Sequence, residues 1–421
     1  LIEEDPMADP RIDPELDAAV RIARAMSRRR FLARGGLGMG AAVLGPSLLA
    51  ACGSGGGSSG GSTGASRRSD TPPAPTGAKR LVISNWDAYI DEDRSGNPKG
   101  KGTTIAQFEA ASGVGVTYRK DYNDNDEYFN KYFSPVLGKG KTLSADIVTP
   151  TYWMAARIIS LGWTEAIQLD QVPNHKNLED NYLGLKWDPK ATNFMPWQSG
   201  ITGIAYNPKL TGFDLKSAKD LFDDRLKGKV TFLTEMRDSV GLTMYSLGTD
   251  PSQAKVADID AALDKLEKYT KNGHILKYTG NEYLQSLSSG DVAACAAWSG
   301  DIPQLDPSLG IKFVIPDEGG MQWFDAMVVP KGAPDNVAAA KWMNWVYDPD
   351  HAAQITEAVQ YISPVKGVRE ALAARDEAGK KLADSPLLFP DDATKARLQV
   401  FGELAQADEL AAQSRFNDIT G

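Results

Sequence analysis

From Lys79 onward, short apolar runs rich in β-branched residues alternate with longer stretches of helical period. This alternation restricts the fold more than any other feature of the chain. Strands are expected at 80–84, 145–148, 203–206, 229–233, 292–297, 312–315 and 325–329. Helices are expected at 103–112, 125–137, 153–161, 257–272 and 337–359. Strands interleaved with helices predict an α/β architecture with mostly parallel sheets. No repeat of 20–50 residues is visible, which argues against a solenoid.

The segment before this pattern reads differently. Residues 27–32 run Ser27-Arg28-Arg29-Arg30-Phe31-Leu32, an apolar Gly/Ala-rich stretch covers 35–51, and Leu49-Ala50-Ala51-Cys52 closes it. A basic region, a short apolar region and small residues before a cut site define a secretory signal, here 1–51. Paired arginines before Phe-Leu resemble the twin-arginine export motif. Leu-Ala-Ala-Cys resembles the bacterial lipobox, which implies lipidation of Cys52 as the new N-terminus. The apolar stretch is too short and too glycine-rich for a comfortable membrane span. Residues 53–66 are nearly all Gly, Ser, Thr and Ala, and prolines follow by residue 78. The 52–79 segment is therefore expected to be a lipidated cysteine and flexible tether. The expected location is outside the cell, lipid-anchored at the outer face of the cytoplasmic membrane, in a periplasm or cell-wall space.

Charge and cysteine usage narrow the function classes. Of the net charge of −9, residues 1–20 contribute about −6 and the basic run up to 51 about +6. The whole −9 then sits on the rest of the chain, against nucleic acid as a partner and compatible with a cationic ligand. With Cys52 lipidated, Cys295 has no disulfide partner. His175, His274 and His351 lack ligand spacing, so no zinc site is expected. No nucleophile elbow, P-loop or metal motif appears, so no cofactor, metal or catalytic residue is assigned.

In open α/β sheets, ligands sit beyond the carboxyl ends of strands. The expected strand ends carry Trp86, Asp87 and Tyr89; Thr151 and Trp153; Glu235, Arg237 and Asp238; and Trp298 and Asp301. Trp323 and Asp325 lie at the start of the last strand. A tryptophan face attracts a cation by about 0.5–2 kcal/mol, and a hydrogen-bonded carboxylate–ammonium pair contributes about 1.5–3 kcal/mol. An aliphatic diamine or polyamine needs both, flat apolar walls for its methylenes and carboxylates for its charged ends. A few such contacts suffice for micromolar binding, about −8 kcal/mol. Taken singly, each tryptophan also suits a core and Asp238 a helix start; Trp342 and Trp345, inside a helical run, read as core.

At these residues the chain resembles the periplasmic polyamine-binding proteins, the spermidine/putrescine substrate-binding components of bacterial ABC importers. The resemblance covers residues 81–421. Its markers are Asn85-Trp86-Asp87-Ala88-Tyr89, Asp146 to Thr151, Gly203 to Asn207, Trp298-Ser299-Gly300-Asp301 and Glu318 to Asp325. It implies a two-lobed, type II periplasmic-binding-protein-like fold. The lobes are discontinuous, 80–206 with 324–363 and 207–323 with 364–421, joined by a hinge over a central cleft. Trp86, Trp153, Trp298 and Trp323 correspond to an aromatic box, with Tyr89 on the same wall. Glu235, Asp238, Asp301 and Asp325 correspond to ammonium partners, and Asp87 and Thr151 to polar groups near one end. Asp301 resembles putrescine-type members and Trp323 spermidine-type members, while Glu235 and Trp153 stand where Asp and Tyr are common. The implied partners are a polyamine, a membrane permease and the membrane itself through the lipid, with the protein a monomer. Another small ligand on the same fold, a secreted hydrolase with paired carboxylates and an adhesive lipoprotein are the competing readings.

Overall fold

The computed structural model describes residues 79–421; the expected signal, the expected lipidation at Cys52 and nearly all of the expected tether lie outside the described residues. In the first lobe, β1 (Arg80–Trp86) lies between β2 (Gly115–Tyr122) and β3 (Ile147–Val148), all parallel. Six of the seven β1 residues are buried, as expected where a parallel sheet is covered on both faces. Helix α1 (Thr104–Ser112) makes the crossover from β1 to β2. The Thr103 side chain accepts from Ala106 N–H at its start, and Gly113 ends it in the left-handed region. Helix α2 (Tyr152–Ser160) follows β3. The helix expected at 125–137 is present as an unbroken helical run over 125–139, but it changes type along its length, with a π-helical segment at Phe129–Phe133. Pro135 offers no N–H to the ladder and crowds the carbonyl four residues back, inside that segment.

The second sheet has seven strands in the order β10-β9-β4-β7-β5-β6, with β8 beside β4. These are β4 (Met195–Tyr206), β5 (Val230–Leu233), β6 (Ile275–Thr279), β7 (Ala294–Trp298), β8 (Lys312–Val314), β9 (Gly320–Met327) and β10 (Leu398–Gln399). It is mixed rather than mostly parallel, because β4 runs antiparallel to β7, β8 and β9. The reason is that β4 and β9 pass through both lobes. The Met195 end of β4 pairs with Met327, next to the Val148–Val328 bridge of the first lobe. Its far end, Thr202–Tyr206, pairs with β7. Two glycines make this strand possible. A Cβ on Gly200 would sit 2.5 Å from the Trp323 ring, and one on Gly203 would sit 2.5 Å from the Val314 carbonyl oxygen of β8. Cys295, on β7, is fully buried.

Helices α3 (Met236–Leu247) and α4 (Val256–Lys271) cover this sheet. The helix expected at 337–359 is two, α5 (Asn336–Val346) and α6 (Pro349–Val359). Pro349 drives the preceding residue out of helical conformation, and Asp348 uses its extended backbone to cap Asp350 N–H. The lobe boundary expected at 363/364 is not where the contacts change. Glu179 N–H donates to Pro364 O (2.8 Å), Lys366 N–H to Asn177 O (2.7 Å), and Arg375 pairs with Glu357 of α6 (2.6 Å), so the chain stays on the first lobe. It joins the second at Arg397, whose carbonyl accepts Gly320 N–H (3.1 Å), and at Leu398, paired with Gly320. The final helix α7 (Gln406–Thr420) is then held to α4 by Arg415 with Asp260 and Asp264.

The lobes meet over a cleft. Contacts across it include Asn125 Nδ2 to Glu235 Oε2 (2.9 Å), Asn123 Nδ2 to Glu282 Oε1 (3.0 Å) and the exposed Lys186–Glu403 ion pair (2.7 Å).

Candidate functional site

All eleven residues assigned from the sequence line one cavity in this cleft, with about 580 Å³ of non-atom space, open solvent included. Trp86 enters from the last position of β1 and donates its indole N–H to Thr149 O (2.8 Å). Trp298, the last residue of β7, meets it edge-on with ring centres 6.0 Å apart, and meets Trp323 edge-on at 6.2 Å. Trp323 is fixed by its indole N–H to Thr202 Oγ1 (2.9 Å). Trp323, Phe324 and Asp325 lie inside β9, not ahead of it, so they reach the cleft from the crossing strand rather than from a strand end.

The carboxylates differ in how they are held. Asp325 is 3% exposed; Tyr89 Oη donates to its Oδ2 (2.7 Å), while its buried Oδ1 has no hydrogen-bond partner. Burial pushes this carboxyl up to about 7; repulsion from Asp238 adds to the rise, and the Tyr89 hydrogen bond and the nearby Thr151 hydroxyl oppose it. Asp238, in the first turn of α3, accepts the Trp298 indole N–H at Oδ2 (2.8 Å). Burial raises it to about 6, against the opposing pull of that hydrogen bond, the Thr202 hydroxyl and the Arg237 charge. Glu235 caps no amide of α3. Its Oε2 accepts from Asn125, and its buried Oε1 lacks a hydrogen bond, the Arg237 Nη1 at 3.8 Å being too far for one. Burial holds Glu235 well above the usual carboxylate range, with Asp238 reinforcing and Arg237 opposing.

Asp301 is held differently from the ammonium partner expected of it. Tyr361 Oη donates to Oδ1 (2.6 Å), and Tyr283 Oη (2.6 Å) and Asn281 Nδ2 (3.0 Å) donate to Oδ2, so both oxygens are occupied. Asp87 sits at the rim with its side chain 63% exposed, paired with Lys120 (3.0 Å). Thr151 Oγ1 accepts from Asn125 Nδ2 (2.9 Å), and its backbone bridges to Asp325. Trp153, on α2, carries the Arg237 guanidinium 3.9 Å above its ring.

The cavity also takes in Tyr152, Asn281, Met321, Gln322, Tyr361 and Phe401, none of them assigned from the sequence, and Arg237 as a wall residue. Asn281 follows β6, a strand the apolar pattern does not reveal. Tyr361 follows a single left-handed residue, Gln360 (φ 55°), just past α6. Gly300 leaves room for it, since a Cβ there would lie 2.5 Å from the Tyr361 ring.

Residues 103–389 match the family of bacterial extracellular solute-binding proteins. The chain belongs to this family. Among its relatives, the putrescine-binding periplasmic protein PotF of Escherichia coli (strain K12) is 27% identical over 341 residues, covering 76% of this chain and 85% of that protein. The spermidine/putrescine-binding periplasmic protein of the same organism is 25% identical over 320 residues, covering 75% and 84%. A solved structure of a putative spermidine/putrescine ABC transporter from Listeria monocytogenes superposes with a TM-score of 0.68 at 25% identity, covering 81% of this chain and 99% of that one. The architecture is thus the two-lobed α/β fold of periplasmic binding proteins, and the family is one of solute-binding transport proteins rather than enzymes.

Proposed function

We propose that this solute-binding protein takes an aliphatic polyamine of the putrescine/spermidine class into the cleft and delivers it to the permease of an ABC importer, working as a monomer held to the membrane by lipid on Cys52. The observation that carries the ligand class is the pair of buried carboxylate oxygens without a hydrogen bond, Asp325 Oδ1 and Glu235 Oε1 (the latter 3.8 Å from Arg237 Nη1), in a cavity walled by Trp86, Trp298 and Trp323. Leaving such an oxygen unmet costs about 1–3 kcal/mol or more, and an ammonium relieves the cost at each. The tryptophan faces suit the methylenes between the charges. Asp238 adds negative charge between two other acids, and Asp301 acts by fixing Tyr361. An anionic ligand is poorly served, because the only arginine in the wall is already flanked by Glu235 and Glu409.

The names of the relatives point to the same ligand class. Isothermal calorimetry tests the reading. Micromolar binding of putrescine or spermidine supports it; no heat with putrescine, spermidine or spermine at millimolar concentration overturns it.

A further inference from the structure

The inner cavity adjoins a second one across shared lining residues. Tyr152, Trp153, Arg237 and Phe401 line both it and a second, outer cavity with about 1020 Å³ of non-atom space. The outer cavity's other walls include Trp187, Glu403 and Glu409. Arg237 is the charged member of the partition. It comes from α3 of the second lobe, lies over Trp153 of the first with its guanidinium carbon 3.9 Å from the ring centre, and is held by Glu409 of α7. It is 9% exposed, and its Nη1 has no hydrogen-bond partner. Stacking on the Trp153 face is where a ligand cation would otherwise be attracted, so the guanidinium occupies an ammonium position with a charge of its own.

We propose that Arg237 is a length gate: it confines the ligand to the inner cavity and so favours a diamine over a longer polyamine. This rests on the polyamine reading of the cleft and adds which member of the class the site prefers. A tail carrying a further ammonium must pass between Trp153 and Glu409, and there it meets a fixed positive charge. Without the guanidinium, the passage opens into the outer cavity, and Glu409 and Glu235 lose their cation. Both then face the passage as acceptors for the tail, and the Trp153 face becomes free to stack on it.

The test compares Kd values for putrescine and spermidine, by calorimetry, in the unmodified protein and in Arg237→Ala and Arg237→Met. Met keeps an apolar chain on Trp153 and removes the charge, so it decides the matter where Ala fails to fold. The unmodified protein is expected to bind putrescine more tightly than spermidine. Either variant is expected to raise the ratio Kd(putrescine)/Kd(spermidine) by about tenfold or more, the value of one added charge-assisted contact. Arg237→Lys, which keeps the charge, is expected to hold the ratio within about threefold. A ratio unchanged in the folded variants overturns the gate while leaving polyamine binding intact. No binding of any amine by the unmodified protein overturns the polyamine reading, and the gate with it.

Discussion

Replacing Asp325 with Asn exchanges a buried carboxylate for an amide of the same shape, and the consequences for the fold and for binding have opposite signs. In the folded protein burial raises this carboxyl to about 7, against about 3.9 in an unfolded chain. A raised carboxyl stabilises the fold fully only below about pH 4, and that contribution is lost as pH rises through about 7. At pH 8 the ionised group therefore costs the empty protein as much as about 4 kcal/mol, at about 1.4 kcal/mol per pH unit between the two values. The amide avoids this cost and still accepts from Tyr89, with a weaker bond by about 1 kcal/mol. Asp325→Asn is thus expected to raise the melting temperature of the empty protein at pH 8 by a few degrees and to leave it nearly unchanged at pH 4. Binding moves the other way. Loss of one charge-assisted contact, about 1.5–3 kcal/mol, weakens putrescine binding at pH 8 by about 10- to 150-fold. Scanning calorimetry and titration calorimetry on the same samples read both effects. An unchanged Kd at pH 8, or a melting temperature lowered equally at pH 4 and pH 8, would refute the reasoning.

In the unmodified protein, putrescine binding is expected to weaken as pH falls from 8 to 5, because protons on Asp325 (about 7) and Asp238 (about 6) must then be displaced by the ligand; a Kd flat across this range in calorimetry contradicts it. Gly300→Ala puts a methyl 2.5 Å from the Tyr361 ring, which must move and release Asp301. Binding is expected to fall about tenfold or more although no ligand contact is deleted, and an unchanged Kd would show that Tyr361 does not need its place. Cys52→Ser is expected to abolish detergent-phase partitioning and the lipid mass on the exported protein; retention of both would remove the anchor from the account.

The α/β class was legible because strands buried on both faces keep an unbroken apolar run, as Leu81 to Ile83 does, and helices such as α4 show a clear period. The site was legible where it follows that logic, at Trp86, Thr151, Glu235 and Trp298. Trp323 and Asp325 are legible as site residues but not as the middle of a strand: the half-buried Gln322, Trp323 and Phe324 break the apolar pattern of β9 where it passes the cleft. The edge strand β2 alternates buried and exposed residues and carries Arg119 and Lys120, so it does not read as a core strand. Asn281 was hidden behind β6, whose Lys277 interrupts a short run. The approach of Arg237 to Trp153, the three donors on Asp301 and the seat of residues 364–389 on the first lobe are long-range contacts without a local signature.

The central claim is that the cleft selects an aliphatic polycation. Native mass spectrometry of the protein, offered an equimolar mixture of putrescine, spermidine, glutamate, an amino sugar and a disaccharide, tests it most directly. One added mass is expected, that of putrescine or spermidine, lost in Asp325→Asn. An added mass of glutamate or of a sugar, or none at all, would contradict it.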